Sequence, residues 1–163
     1  MGKQKTKGFT LIELLVVIAI IGLLATIVLV SLNTARAKAR DSRRLSDFHQ
    51  VALALELYYD NNNNAYPAIA SGNCTPANWK TTMTTALQGG GYMTLVPIDP
   101  SDGATYFYAY SSNATGTDYV LRARLEVSSN PALNTDVDGD VMGCTAASGF
   151  SCGDATPIYC VMP

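Results

Sequence analysis

The chain has 163 residues, 48 per cent of them apolar and 15 per cent charged, which leaves room for one ordinary domain and excludes both a large multidomain enzyme and a disordered chain. The formal charge of −2 hides an asymmetry: residues 1–48 carry eight basic and three acidic side chains, net +5, and residues 49–163 carry three and ten, net −7. The acidic distal part has no basic, aromatic-interleaved surface, so no nucleic-acid partner is expected.

The first element is apolar. Residues 14–35 contain no charge, and 22 residues of helix span about 33 Å, enough to cross a hydrocarbon core of about 30 Å. A secretory signal peptide is the alternative, but its apolar core runs only about 7 to 15 residues, and Ala35-Arg36-Ala37 is a poor cleavage site. Lysines 3, 5 and 7 precede the segment and a basic cluster at 36–44 follows it, so the positive-inside rule does not orient it. Glu13 is the only charge between Lys7 and Arg36 and sits within the apolar helix. A carboxylate there requires either a cationic partner or the positive end of the helix dipole.

The helical pattern continues beyond the apolar run. Leu45, Phe48, Ala52, Leu55 and Tyr59 recur at steps of 3 and 4, an amphipathic seam with Arg44, Asp47, Gln50 and Glu56 on other faces. Asp60 and the asparagines at 61–64 end it, giving one helix over 9–60 with about 1.5 Å of rise per residue. His49 has no catalytic partner nearby in sequence and reads as a surface histidine.

A short helix is expected from Thr75-Pro76, with Trp79, Met83 and Leu87 on one face and the glycines at 89–91 as its stop. Strands are expected over 105–110, 119–127 and 158–161, the first two joined by a hairpin loop at 111–118. In the second strand Leu121, Ala123, Leu125 and Val127 alternate with Arg122, Arg124 and Glu126, the pattern of a half-buried strand. The expected fold class is α+β: a long N-terminal helix packed on a small antiparallel sheet.

Asp136, Asp138 and Asp140 fall on alternate residues, a spacing that suits calcium. An EF-hand is excluded, because Val141 and Ala147 stand where its glycine and glutamate belong. The four cysteines contain no Cys-x-x-Cys pair and read as disulfides of an oxidising compartment. They allow three connectivities, among which sequence alone does not choose; the expectation taken is Cys152 with Cys160 and Cys74 with Cys144. No nucleophile with a base, catalytic carboxylate pair or phosphate loop is recognisable, so an anchored enzyme is disfavoured.

The string from Lys7-Gly8-Phe9-Thr10-Leu11-Ile12-Glu13 to Gly22 resembles the processing signal of type IV pilins and type II secretion pseudopilins. The resemblance implies cleavage by a prepilin peptidase between Gly8 and Phe9, N-methylation of Phe9, and pairing of Glu13 with the amino terminus of Phe9 on a neighbouring subunit. It also implies the pilin fold, with a leader at 1–8, a transmembrane and polymerisation half at 9–35, an amphipathic half at 36–60 and a head at 61–163 with a cysteine-rich loop. Implied partners are the chain itself as a homopolymer, prepilin peptidase, an inner-membrane assembly platform, minor pilins, and membrane lipid before assembly. The implied location is a single pass through the inner membrane with the head outside, then a periplasmic pseudopilus or extracellular pilus. Tyr58-Tyr59-Asp60 with Tyr66-Pro67, Pro97-Ile98-Asp99-Pro100 and Tyr119-Val120-Leu121 also resemble a major pseudopilin head, in which calcium is bound by a C-terminal loop. No cofactor other than calcium is suggested. Many pilins carry a proline in the later half of the apolar helix; residues 22–33 have none, so local melting there is not implied. The competing reading is a membrane-anchored extracytoplasmic binding module that never polymerises.

Overall fold

The computed structural model describes residues 8–69, 74–142, 144, 151–153 and 156–163. The chain divides into two compact units, residues 1–37 and residues 38–163, and α1 (Leu11–Asn61) contributes to both.

The first unit is the apolar part of α1. The helix starts at Leu11, two residues later than expected, because Thr10 acts as its cap. Large apolar side chains from Leu11 to Leu29 are exposed, as is Leu32, so this half has no protein core of its own. Thr26 donates its hydroxyl to Leu23 O at 2.8 Å, satisfying its one polar group within the helix. With no proline, the helix passes unbroken through Gly22.

The second unit is the head. Its part of α1 buries Phe48, Val51, Ala54 and Leu55 together with Asp41, Arg44 and Asp47. The seam is therefore displaced from the expected one: Leu45 and Ala52 are half-buried, and the buried line runs Asp41, Arg44, Phe48, Val51, Leu55. Charged residues assigned by pattern to an outer face lie inside because their partners come from distant segments. The asparagine run ends the helix by two mechanisms. Asn61 and Asn62 donate side-chain amides to Leu57 O at 2.8 Å and Tyr58 O at 2.7 Å, and Asn63 and Asn64 take left-handed backbone with φ of 56°.

Thr75 caps α2 (Pro76–Asn78), which runs directly into a π-helix, Trp79–Gln88. Trp79, Met83 and Leu87 are all buried, as their spacing predicts. The Trp79 indole donates to Pro97 O at 2.9 Å, and its ring lies against Phe48 and Tyr108.

The sheet is antiparallel in the order β1 (Ala109–Ser112), β2 (Tyr119–Arg124), β3 (Ile158–Val161), with Tyr110 opposite Leu121 and Leu121 opposite Val161. One face, with Tyr110, Tyr119, Leu121 and Ala123, packs in the same core as Phe48, Leu55 and Trp79. The other face, with Ala109, Val120, Ile158 and Cys160, is buried in a second cluster with Cys74, Cys144 and Cys152. Strand β2 is thus covered on both sides, not half-buried as its alternation predicts. It also ends at Arg124 instead of 127, because the backbone N–H groups of Glu126 and Val127 leave the ladder for the Asp41 carboxylate, each at 2.9 Å. The β1 strand begins four residues later than expected and extends through Ser112, whose hydroxyl donates to Pro67 O and accepts from Ile69 N–H.

Candidate functional site

Gly8, Phe9 and Thr10 are exposed, and the peptide bond between Gly8 and Phe9 is open to a processing enzyme. The next residues form a capping box, Thr-x-x-Glu. Glu13 Oε2 accepts from the Thr10 backbone N–H at 2.9 Å and from the Thr10 hydroxyl at 2.7 Å, while the Glu13 N–H donates to Thr10 Oγ1 at 3.3 Å. Two helix-end N–H groups are satisfied reciprocally, and the carboxylate is held on the residue adjoining Phe9. Among the described residues Oε1 makes no hydrogen bond and Glu13 makes no ion pair. The site is thus an exposed apolar helix with one acid fixed at its start. It can dock apolar surface and accept one positive charge.

Within the head, Arg44 joins α1 to two distant segments. It meets Asp99 side-on, Nε to Oδ2 and Nη2 to Oδ1, both at 2.8 Å, and donates from Nη1 to Asp41 at 2.8 Å and Glu126 at 2.9 Å. Arg44 and Asp41 are fully buried and Asp99 is 4 per cent exposed. The face of Tyr106 lies 5.0 Å from the guanidinium. Burial opposes the charge on Arg44, but the hydrogen bonds to Asp99, Glu126 and Asp41 outweigh it and raise its pKa. Glu126 also receives Arg40, and that hydrogen bond, against the opposing effect of burial, holds its carboxyl down at about 2. One turn further along α1, Asp47 accepts from the Tyr108 hydroxyl at 2.7 Å. Burial and this bond together push the Tyr108 hydroxyl well above its usual range.

Sequence reasoning missed this cluster. A signal was present, since Asp41, Arg44, Phe48, Val51 and Leu55 follow the same steps of 3 and 4 as the chosen seam. Two of its members are charged, which the search for an apolar stripe passed over.

The structure joins Cys74 to Cys144 and Cys152 to Cys160, the pairs taken from the sequence. His49 is exposed. Among the described residues, the Asp136, Asp138 and Asp140 loop included, no three His, Cys, Asp or Glu side chains converge on one point. Asp136 Oδ2 instead accepts the Cys160 N–H at 3.0 Å, and Val137 N–H donates to Cys160 O at 3.0 Å. The loop thereby covers the free edge of β3.

Residues 3–29 match the family model for the prokaryotic N-terminal methylation motif. The type II secretion system core protein G of Aeromonas hydrophila is 35 per cent identical over 102 residues, covering 61 per cent of this chain and 71 per cent of that protein. Its counterpart in Escherichia coli is 30 per cent identical over 140 residues, 85 per cent of this chain and 86 per cent of that protein. The type IV wide pilus major component PilA4 of Thermus thermophilus is 40 per cent identical over 80 residues, 46 per cent of this chain and 61 per cent of the relative. No solved structure matches significantly. With the methylation motif matched at its start and 30 per cent identity held over 85 per cent of its length, the chain belongs to the family of type IV pilins and type II secretion major pseudopilins.

Proposed function

We propose that the chain is the structural subunit of a type II secretion pseudopilus, made as a membrane precursor and polymerised through the apolar half of α1. A prepilin peptidase removes residues 1–8 and methylates Phe9, leaving 155 residues. Residues 9–35 anchor the subunit in the inner membrane with the head outside, then become the filament core. The Glu13 carboxylate takes the Phe9 amino group of a neighbour, since a charge removed from water is tolerated mainly when paired. The assembly platform and minor pilins are its further partners. The secretion reading is favoured over a surface pilus by the extent of similarity, 86 per cent of the Escherichia coli core protein G against 61 per cent of PilA4.

The observation that carries the reading is the run of exposed apolar side chains starting at a capped Glu13, directly after the exposed Gly8–Phe9 bond. Co-expression with a prepilin peptidase followed by N-terminal mass spectrometry is expected to give a chain beginning at methylated Phe9. A chain still starting at Met1, or cut near Ala37, would falsify it. Glu13→Ala is expected to be processed but absent from sheared filaments seen by electron microscopy. A variant that assembles normally points to the alternative, an anchored module that does not polymerise.

A further inference from the structure

A cavity of about 420 Å³ lies between the head's part of α1 and the segment after β2, lined by Lys38, Ser42, Val127, Ser129, Asn130 and Pro131. Its polar side chains are one ammonium, two hydroxyls and one amide. Lys38 is exposed and has no ion pair among the described residues, whereas Arg40, Arg43 and Arg44 each face a carboxylate. Asn130 commits its side-chain oxygen to the Ala132 N–H at 3.1 Å, which leaves its amide NH2 as the open pole. The Ser42 and Ser129 hydroxyls take no partner among the described residues, and no carboxylate lines the cavity. The adjoining acids are already engaged: Asp41 holds Arg44 and the N–H groups of Glu126 and Val127, and Glu126 holds Arg40 and Arg44. An ammonium, an amide NH2 and two hydroxyls around one space suit an anion with several oxygens.

The position in the chain identifies the source of that anion. Lys38 follows Ala35, the last residue of the uncharged run, by three residues of the same helix, about 4.5 Å of rise. That is the depth at which basic side chains meet lipid headgroups. Val127 and Pro131 add apolar wall, which a glycerophospholipid would cover and a free phosphate ion would leave wet. We propose that this cavity binds the phosphate of a phospholipid headgroup, with Lys38 supplying the charge and Ser42, Ser129 and Asn130 the hydrogen bonds. The proposal rests on residues 9–35 being the membrane anchor.

The test uses the full chain in uncharged detergent micelles, titrated separately with dihexanoyl phosphatidylglycerol, dihexanoylglycerol and inorganic phosphate while the Ser129 and Asn130 amide resonances are followed by NMR. Phosphatidylglycerol is expected to move both resonances to saturation, and dihexanoylglycerol is expected to leave them in place. Lys38→Ala should weaken the binding about fivefold, as loss of one interfacial cation implies, with Lys38→Arg retaining it. Equal affinity for inorganic phosphate overturns the lipid as the source; a response to dihexanoylglycerol, or an unchanged Lys38→Ala, overturns the phosphate site itself. Failure of the anchor reading shows separately, as a chain that enters the aqueous phase when the detergent is phase-separated.

Discussion

Arg44 and Asp99, 55 residues apart in sequence, meet side-on in the interior of the head through two hydrogen bonds of 2.8 Å. The pair ties the loop before the sheet to α1, and the Arg44 bonds to Asp41 and Glu126 tie the end of β2 to the same turn. A buried ion pair contributes little relative to a well-packed apolar substitute, but removing one partner leaves charge stranded.

Replacing Arg44 by Met therefore leaves the buried Asp41 and Asp99 without their cation and Glu126 with Arg40 alone, and should cost about 3 to 5 kcal/mol of head stability in urea denaturation. Lys80→Ala, which breaks a pair with Asp102 whose side chains are 57 and 43 per cent exposed, should change stability by less than about 1 kcal/mol. Similar costs for the two variants contradict the central role assigned to Arg44.

The same cluster predicts a pH dependence. The Glu126 carboxyl is lowered from 4.5 to about 2 by its bond from Arg40, so its contribution is complete above pH 4.5 and is lost as the pH falls towards 2. The melting temperature should drop across that interval, and Glu126→Gln should flatten the drop while lowering stability at neutral pH. An unaltered acid limb in the variant would exclude Glu126 as its source.

The two disulfides should differ in weight. They join residues 70 and 8 positions apart, for which loop entropy gives about 4 and about 2.5 kcal/mol respectively. Paired Ser replacements should destabilise in that order, with Cys74 and Cys144 the more costly pair. Both should expose the outer sheet face around Val120, seen as faster hydrogen exchange there.

Gly116 has a φ of +68°, and a Cβ on it would lie 2.6 Å from Tyr66 O, in a turn where the Tyr66 N–H donates to Gly116 O at 2.7 Å. Gly116→Ala should cost about 1 to 3 kcal/mol. Gly22→Ala, with nothing within 4 Å of its Cβ in the single chain, should leave head melting unchanged.

Elements whose cause is local were legible in the residues. The membrane-length run, the helix stop at the asparagines and the Trp79, Met83, Leu87 face rest on chain-local hydropathy, capping and periodicity. The processing signal was equally local, being a contiguous string around Gly8, Phe9 and Glu13. The same string contains the Thr10–Glu13 capping box, which a reading for hydropathy passes over although its Thr-x-x-Glu spacing is explicit.

What the tertiary structure decided was the fate of groups whose partners are remote. Nothing near Arg44 in sequence announces Asp99 or Glu126, and nothing near β2 announces that the disulfide-linked segments cover its second face. Periodicity ranks side chains by polarity, so it places an arginine outside. Folding places it by the sum of its pairings, and three carboxylates brought together from 41, 99 and 126 make the interior the lower-energy place for this one. The sequence by itself thus determined a membrane-length apolar helix, a methylation-type signal and the class of fold, because each depends on neighbours along the chain. Which charges hold the head together depended on neighbours in space.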